Sequence, residues 1–506
     1  MPETGPEKTG KNKGGGFVRL HSRFNPRLEA ERYLDALSIR DEIKYFILIE
    51  PGRGYLASLL AGRRPGAKII SLHVEEPEEE EPAAPERTAC WSPLRGPLSG
   101  FLEREIPDTP SSRIMIVEWR PARAVYGRDY LSLVAETAEF IRRADAGART
   151  LRAFGGRWMR NFFRNLSFPF TFLKAPSPCA PVLVACSGPG LEGALPRIQK
   201  MKEDGCFILA ASSSVMALRT GGIVPDMVIS TDGGNWALLH LYECLRPGAE
   251  NQAALAAGLF AALPSQCSGF PLLVIDDGSL WQRIVLSGLG IPSVSLAQRG
   301  TVAASALDLA FHLCAGGVFI AGADLLVRGI RTHSRPYGFD RLVSEDSSRF
   351  GPAYSRSFKR ALSTREGGSH GIYAAWFKNQ LENYPGPVVP VGDNNPLFGA
   401  DGTGAEGKEG AAAHRAGENA KGQGRSAGGT VFETYRTEAV PPALRARRAV
   451  DILARALEEK GMRDILCREL YPLLFPEKDP AGADLPELKD AVYALAPRAA
   501  GNSHGR

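Results

Sequence analysis

Pro181-Val182-Leu183-Val184-Ala185-Cys186 runs straight into Ser187-Gly188-Pro189-Gly190, and Leu191 to Glu203 then carries helical spacing. A short apolar run closed by a glycine turn is the pattern of a strand buried on both faces. Further along, Cys206 to Ala211 is a second such run, and Ser212-Ser213-Ser214 leads a helix from Val215 to Thr220. Pro225 to Asp232 is a third strand with Asp226 and Asp232 at its two ends. Leu272 to Ile275 enters Asp276-Asp277-Gly278, Gly300-Thr301-Val302 precedes a helix, and Val318 to Ala321 ends in Gly322-Ala323-Asp324. Strands alternating with helices predict a parallel, doubly wound α/β sheet. Polar residues recur just after strand ends, where such sheets bind ligands.

Towards the N-terminus, Leu28 to Leu37 reads as a short amphipathic helix. Tyr45 to Ile49 is a strand, Gly52 and Gly54 punctuate a turn, a helix starts at Leu56, and Ala67 to Val74 is a strand ending at Glu75. That is the outline of a Rossmann-like unit carrying part of the glycine fingerprint, either a nucleotide binder or a scaffold. Glu75 to Pro82 is a charge run expected in a solvated loop. Ser112 to Trp119 is a strand and Leu131 to Ala144 a helix. Arg157, Arg160 and Arg164 share one helical face, with Trp158 and Phe162 on another. They make either a wet basic face or a contact for a phosphate or acidic partner.

From Gly399 to Gly429 there are ten glycines and eight alanines in 31 residues, the composition of a flexible insertion. Phe398 and Val431, at its two ends, are expected to flank one surface position. Pro442 to Lys460 and Arg463 to Leu474 read as helices, and the end from Pro497 is expected to fray. The chain therefore divides into a disordered tail (1–20), an N-terminal Rossmann-like domain (21–125), a helical connector (126–175), a central domain (176–398), the insertion (399–429) and a helical C-terminal region (430–506).

Composition sets the outer limits. Among 506 residues, 61 Lys and Arg face 56 Asp and Glu, a formal charge of +5 that does not suit a dedicated nucleic-acid binder. Hydrophobic residues at 44% and charged residues at 23% fit a globular protein with sizeable cores. Eight cysteines without a C-x-x-C pair argue against a disulfide scaffold or structural zinc, and for a reduced, cytoplasmic setting. Residues 1–16 lack an apolar signal-peptide region, and no apolar run reaches the length of a membrane span.

Cys186-Ser-Gly-Pro-Gly-Leu-Glu192, Gly222-Ile-Val-Pro-Asp-Met-Val-Ile-Ser-Thr-Asp232, Arg299-Gly-Thr-Val-Ala303, Phe319-Ile-Ala-Gly-Ala-Asp-Leu325 and Thr332-His333 appear in that order. In this the chain resembles the motility accessory factor family, whose central domain shares the name of the MptE-like 6-hydroxymethylpterin diphosphokinases. Leu28–Tyr33, Gly52–Tyr55 and Arg157–Leu166 extend the resemblance over roughly residues 20 to 395. It implies a sialyltransferase-like central domain and a CMP-activated nonulosonic sugar as donor, with Ser or Thr of flagellin as acceptor. A second branch implies transfer of a diphosphate from ATP, with Mg²⁺, to a pterin alcohol. One departure is visible: the family loop reads Gly-x-Gly-Pro-Ser, and Gly190 stands where the serine would be. A degenerate, non-catalytic flagellin binder is the third implication.

The candidate ligand-binding set is Ser187, Gly188, Pro189, Gly190, Ser212, Ser213, Asp226, Gly300, Thr301 and Asp324. Backbone N–H groups at the glycine loop and the positive end of the following helix favour a phosphate. Ser212 and Ser213 suit a base or ribose, or equally an N-cap. Asp226 and Asp232 would hold Mg²⁺ in the diphosphokinase reading, whereas Asp232 would orient donor or acceptor in the glycosyl-transfer reading. Asp277 reads as a turn residue and Asp276 stays open. His333 and His370 compete as the general base, a role suited to a side chain titrating near neutrality. His240 and His312 read as packing or capping residues, and His21 and His73 have no chemical context. No metal ligand is assigned, and neither nucleic acid nor a membrane is expected as partner.

Overall fold

The computed structural model describes residues 9–11, 17–77, 88–106, 111–175, 180–245, 254–297, 300–366, 377, 381, 384, 386–392, 433–435, 440–476, 478 and 484–496. His370, the insertion 399–429 with its flanks Phe398 and Val431, and the end from Pro497 lie outside the described residues. The chain forms two compact units, Met1–Ala153 and Phe154–Arg506. The expected connector is one helix, Arg128–Leu166, and the division falls within it.

In the first unit, β1 (Thr9–Lys11) and β2 (Phe17–Arg19) pair antiparallel. A four-stranded parallel sheet follows, built from β3 (Tyr45–Ile49), β4 (Lys68–Leu72), β5 (Thr88–Trp91) and β6 (Ile114–Glu118) in the order β5-β4-β3-β6. Phe46, Ile47, Leu48 and Ile49 are fully buried, as an unbroken apolar run in a central strand must be. The glycine turn after β3 enters the helix Tyr55–Arg63, as the Rossmann-like outline predicts. The turn itself is closed by the protein: Arg53 N–H donates to His21 Nε2 at 3.0 Å. Beside it, buried Glu50 accepts from Val74 N–H at 2.7 Å and lies 3.3 Å from His73 Nδ1.

The second unit is organised by a ten-stranded sheet. Its strands are β7 (Phe172–Leu173), β8 (Ala180–Ala185), β9 (Phe207–Ala211), β10 (Met227–Ser230), β11 (Ala254–Gly258), β12 (Leu272–Asp276), β13 (Ser293–Ser295), β14 (Cys314–Ala321), β15 (Val388–Val391) and β16 (Thr434–Tyr435). The order is β15-β14-β8-β9-β10-β11-β12-β7-β16, with β13 also on β12; all pairs are parallel except β16 on β7. Val182, Val184, Leu209, Ile229 and Ala256 join a core with the helix Val302–Leu313. The alternating residues Leu183, Ile208, Ala210, Val228 and Val274 are buried as well, so both faces of the sheet are covered. From β8 the order advances one way to β12, while β14 and β15 lie on the other side. The switch in strand order falls between β8 and β14, where ligands of open α/β sheets bind.

The end of the long helix is bolted to the loop after β11. Asn165 Nδ2 donates to the carbonyls of Leu259 (2.9 Å) and Ala261 (2.8 Å), and Asn161 Nδ2 to those of Gly233 (3.2 Å) and Phe260 (3.0 Å). Trp158 and Phe162 pack on Phe260, and Phe162 on Trp281. Of the expected basic face, Arg164 is exposed and donates to the Leu263 carbonyl at 3.2 Å. The asparagines therefore carry the attachment, and Asn165→Ala, which orphans two buried carbonyls, should cost about 2–4 kcal/mol in urea unfolding. A loss below about 0.5 kcal/mol, typical of surface changes, would contradict that role.

Candidate functional site

Two connected chambers open at the carboxyl ends of the central strands. The inner one, about 280 Å³, is walled by Ser187 and Gly188 after β8, Ser212 and Ser213 after β9, and Gly322, Ala323 and Leu325 after β14. Thr301, Val302 and Ala303, the start of the helix Val302–Leu313, close another side. Thr301 caps that helix, its Oγ1 accepting from Ala304 N–H at 3.2 Å, and the positive end of the helix dipole faces the chamber. Leu325 adopts φ +49°, a left-handed conformation costly for a branched side chain and common where structure is held for function. The outer chamber, about 710 Å³, shares Asp232, Ala237, His240, Thr332, His333 and Tyr337 with the inner one.

At the junction, Thr332 Oγ1 lies 2.9 Å from His333 Nδ1, and the imidazole stacks on Tyr337 at 4.2 Å between ring centroids. His240 stacks on Phe339 at 4.8 Å and approaches Tyr337 at 4.9 Å. Burial, helped by the Arg360 charge, pushes the His240 pKa down to about 4, so its ring is neutral at ordinary pH. Burial also raises the Tyr337 phenol to about 12. Asp232 is exposed to the chambers, its Oδ1 accepting from Gly234 N–H at 2.7 Å.

The glycine loop is engaged internally. Gly188 N–H donates to Gly322 O at 2.6 Å, Leu191 N–H to Gly188 O at 3.0 Å, and Gly190 N–H to the Asp324 carboxylate. Asp324 is buried and compensates the amino end of the helix Leu191–Glu203, where a phosphate was expected. Burial raises its pKa, opposed by the Gly190 N–H bond and Arg328. A Cβ on residue 190 would lie 2.6 Å from Asp324 Oδ1, so Gly190 and Asp324 are fitted to each other. Pro189, Gly190, Gly300 and Asp324 are absent from the walls of both chambers, whereas Ser187, Gly188, Ser212, Ser213 and Thr301 form the inner wall.

Asp226 requires a correction. It stands before the first residue of β10, at the amino end of a parallel strand, and so at the sheet edge opposite the chambers. There it pairs with Lys202 Nζ at 3.1 Å and accepts from Ile208 N–H at 2.8 Å. Asp226→Asn should therefore leave the affinity for any nucleotide unchanged within twofold by calorimetry; a tenfold loss would return it to the site. Asp276, also left open, is buried and saturated by Ser293 Oγ, Ser295 Oγ and Gly278 N–H, while Asp277 Oδ1 accepts from Ser279 N–H in a turn.

Residues 157–329 match the family described as 6-hydroxymethylpterin diphosphokinase MptE-like. This part of the chain is similar to that family's domain. It contains β8 to β14 and the inner chamber's walls up to Leu325, while Thr332, His333 and Tyr337 lie beyond the matched residues. An uncharacterised protein of Treponema pallidum (strain Nichols) is 29% identical over 283 residues, 55% of this chain and 60% of that relative's length. A solved structure titled as MAf glycosyltransferase from Magnetospirillum magneticum AMB-1 aligns with 97% of this chain and 86% of its own, at 13% identity and a TM-score of 0.46. Among the described residues no helix is long and apolar enough to cross a membrane.

His240, Tyr337 and Arg360 line the chambers, a placement that the sequence reading missed. His240 sits in the apolar helical run Ala237–Cys244 and looks like packing; only the loop carrying Tyr337 and Phe339 turns it into a chamber wall. Serines placed after strand ends, by contrast, were visible signals.

Proposed function

We propose that this chain is a motility accessory factor-like glycosyltransferase that binds the nucleotide of an activated sugar in the inner chamber and the sugar itself, with the acceptor, in the outer one. In its specific form the donor is a CMP-activated nonulosonic sugar and the acceptor a Ser or Thr hydroxyl of flagellin. The observation that carries the reading is the pair of chambers meeting at His333 and Asp232. A small pocket whose mostly apolar wall carries a few serine and threonine hydroxyls, beside a wide cleft, suits one compact and one bulky reactant, with the reacting atoms at the neck.

In this reading Ser212, Ser213 and Ser187 bond the nucleotide, and the start of the helix Val302–Leu313 faces its phosphate. The tautomer of His333 that donates Nδ1–H to Thr332 Oγ1 keeps Nε2 as the basic nitrogen. The acceptor oxygen bonds to the anomeric carbon as the bond from that carbon to the phosphate oxygen breaks. The proton passes to His333, and the nucleoside monophosphate leaves with the bonding electron pair. Direct displacement inverts the anomeric centre. Asp232 orients a donor or acceptor hydroxyl. Incubation with CMP-activated nonulosonates and flagellin, read by intact mass, should show one sugar increment per site; no increment with several donors would sink this form.

The family match itself favours a second reading, ATP-dependent diphosphate transfer to a pterin alcohol. The expected pair of Mg²⁺-holding carboxylates does not fit it, because Asp226 lies at the opposite edge of the sheet from Asp232. AMP release with a dihydropterin alcohol, ATP and Mg²⁺ would decide for that reading.

A further inference from the structure

Four arginines stand in the wall of the outer chamber: Arg331, Arg335, Arg356 and Arg360. Three are neutralised within the protein. Arg331 pairs with Glu192 at 3.0 Å, Arg356 with Asp346 at 3.0 Å, and Arg335 with Asp340 at 3.9 Å. Arg360 meets no carboxylate among the described residues. Its guanidinium is held over the Phe339 ring, 5.4 Å from the centroid. A guanidinium lying on an aromatic face keeps its N–H edge available, in a plane already fixed for a bidentate contact.

The position is not peripheral. Phe339 carries Arg360 on one contact and stacks with His240 on another, and His240 lines both chambers. The Arg360 charge reaches this stack, since it adds to the burial that lowers the His240 pKa and opposes the burial that raises that of Tyr337. Across the junction, the Asp232 carboxylate is bonded to an amide and has no ion pair among the described residues. Among the described residues the cleft thus offers a carboxylate at its neck and an uncompensated guanidinium in its outer wall.

We propose that Arg360 is the anchor for an oxyanion, a carboxylate or a phosphate, carried by the substrate that occupies the outer chamber. The proposal deepens the transferase reading and rests on its assignment of the outer chamber to a reactant. A planar guanidinium and a planar carboxylate match in two parallel N–H···O contacts, which an ammonium cannot reproduce. A neutral substrate of the same shape would leave this charge unanswered and bind more weakly.

The test is calorimetry on the full chain at low ionic strength with three probes: pyrophosphate, N-acetylneuraminic acid and its methyl ester. Wild type should bind pyrophosphate or the free sugar acid, and the ester at least tenfold more weakly than the acid if a carboxylate is the natural group. Arg360→Gln should weaken the bound probe at least tenfold, and Arg360→Lys should recover only part of the loss. Binding of neither pyrophosphate nor the acid to wild type, or equal binding to Arg360→Gln, would overturn the proposal. CMP titrated into the same proteins keeps the two readings apart. Its affinity should be the same in wild type and Arg360→Gln, and failure of CMP to bind wild type counts against the nucleotide reading while the oxyanion result still stands or falls by itself.

Discussion

His333→Ala should lower the rate of sugar transfer by about 10²–10⁴-fold, the usual worth of a positioned general base. Donor affinity should change by less than threefold, because the proposed nucleotide contacts come from Ser187, Ser212, Ser213 and the helix start at Thr301. The imidazole stacks on Tyr337 and its Nδ1 lies against Thr332 Oγ1, so removal also frees a ring neighbour. His333→Gln, which keeps a planar polar group without a base in the neutral range, separates lost packing from lost proton transfer. Equal activity of His333→Gln and wild type would remove His333 from the chemistry.

Gly322→Ala should destabilise the second unit by about 2–5 kcal/mol, combining left-handed backbone strain with displaced backbone. Gly322 has φ +65°, and a Cβ there would overlap Cys186 O and come within 2.9 Å of Leu191 Cβ. The reason is the switch point itself. Two strand ends, β8 and β14, are joined there by Cys186 N–H to Ala321 O (2.8 Å) and Gly188 N–H to Gly322 O (2.6 Å). The loops can meet backbone to backbone only if neither carries a side chain on the facing side. Because the same loops wall the inner chamber, Gly322→Ala should also abolish ligand binding before it abolishes helical circular dichroism. A urea midpoint shift of less than about 0.3 M, under 1 kcal/mol at ordinary slopes, would contradict this account.

The sheet scaffold was legible because fully buried parallel strands are written as continuous apolar runs. Tyr45–Ile49 is a strand at the expected bounds, and Leu191–Glu203 and Val215–Thr220 are helices at theirs. The places just after strand ends were legible for the same reason, and they put Ser187, Ser212, Ser213 and Thr301 on one chamber. Asp226 was misread although the signal was present: it precedes its strand, and only carboxyl ends face the crevice. Asp324 against Gly190, 134 residues away, was not legible, because nothing local records which amide a carboxylate will find. At residue 190, where the resemblance would place a serine, a side chain would strike Asp324. Arg360 and His240 were equally hidden, both being held in the chamber wall against the loop that carries Tyr337 and Phe339. The buried His21 and His73, without context in the sequence, are tied to Arg53 and Glu50 in the first unit.

The central claim, that the chamber at the β8–β14 switch binds the nucleotide of an activated sugar, is tested most directly by one calorimetric comparison. CMP is titrated into wild type and into Ser212→Trp, whose indole would fill much of a chamber of about 280 Å³. The account predicts one CMP site per chain in wild type and at least a hundredfold weaker binding in Ser212→Trp, with both proteins folded by circular dichroism. CMP binding undisturbed by Ser212→Trp, or silence with CMP alongside tight binding of ATP with Mg²⁺, would contradict it.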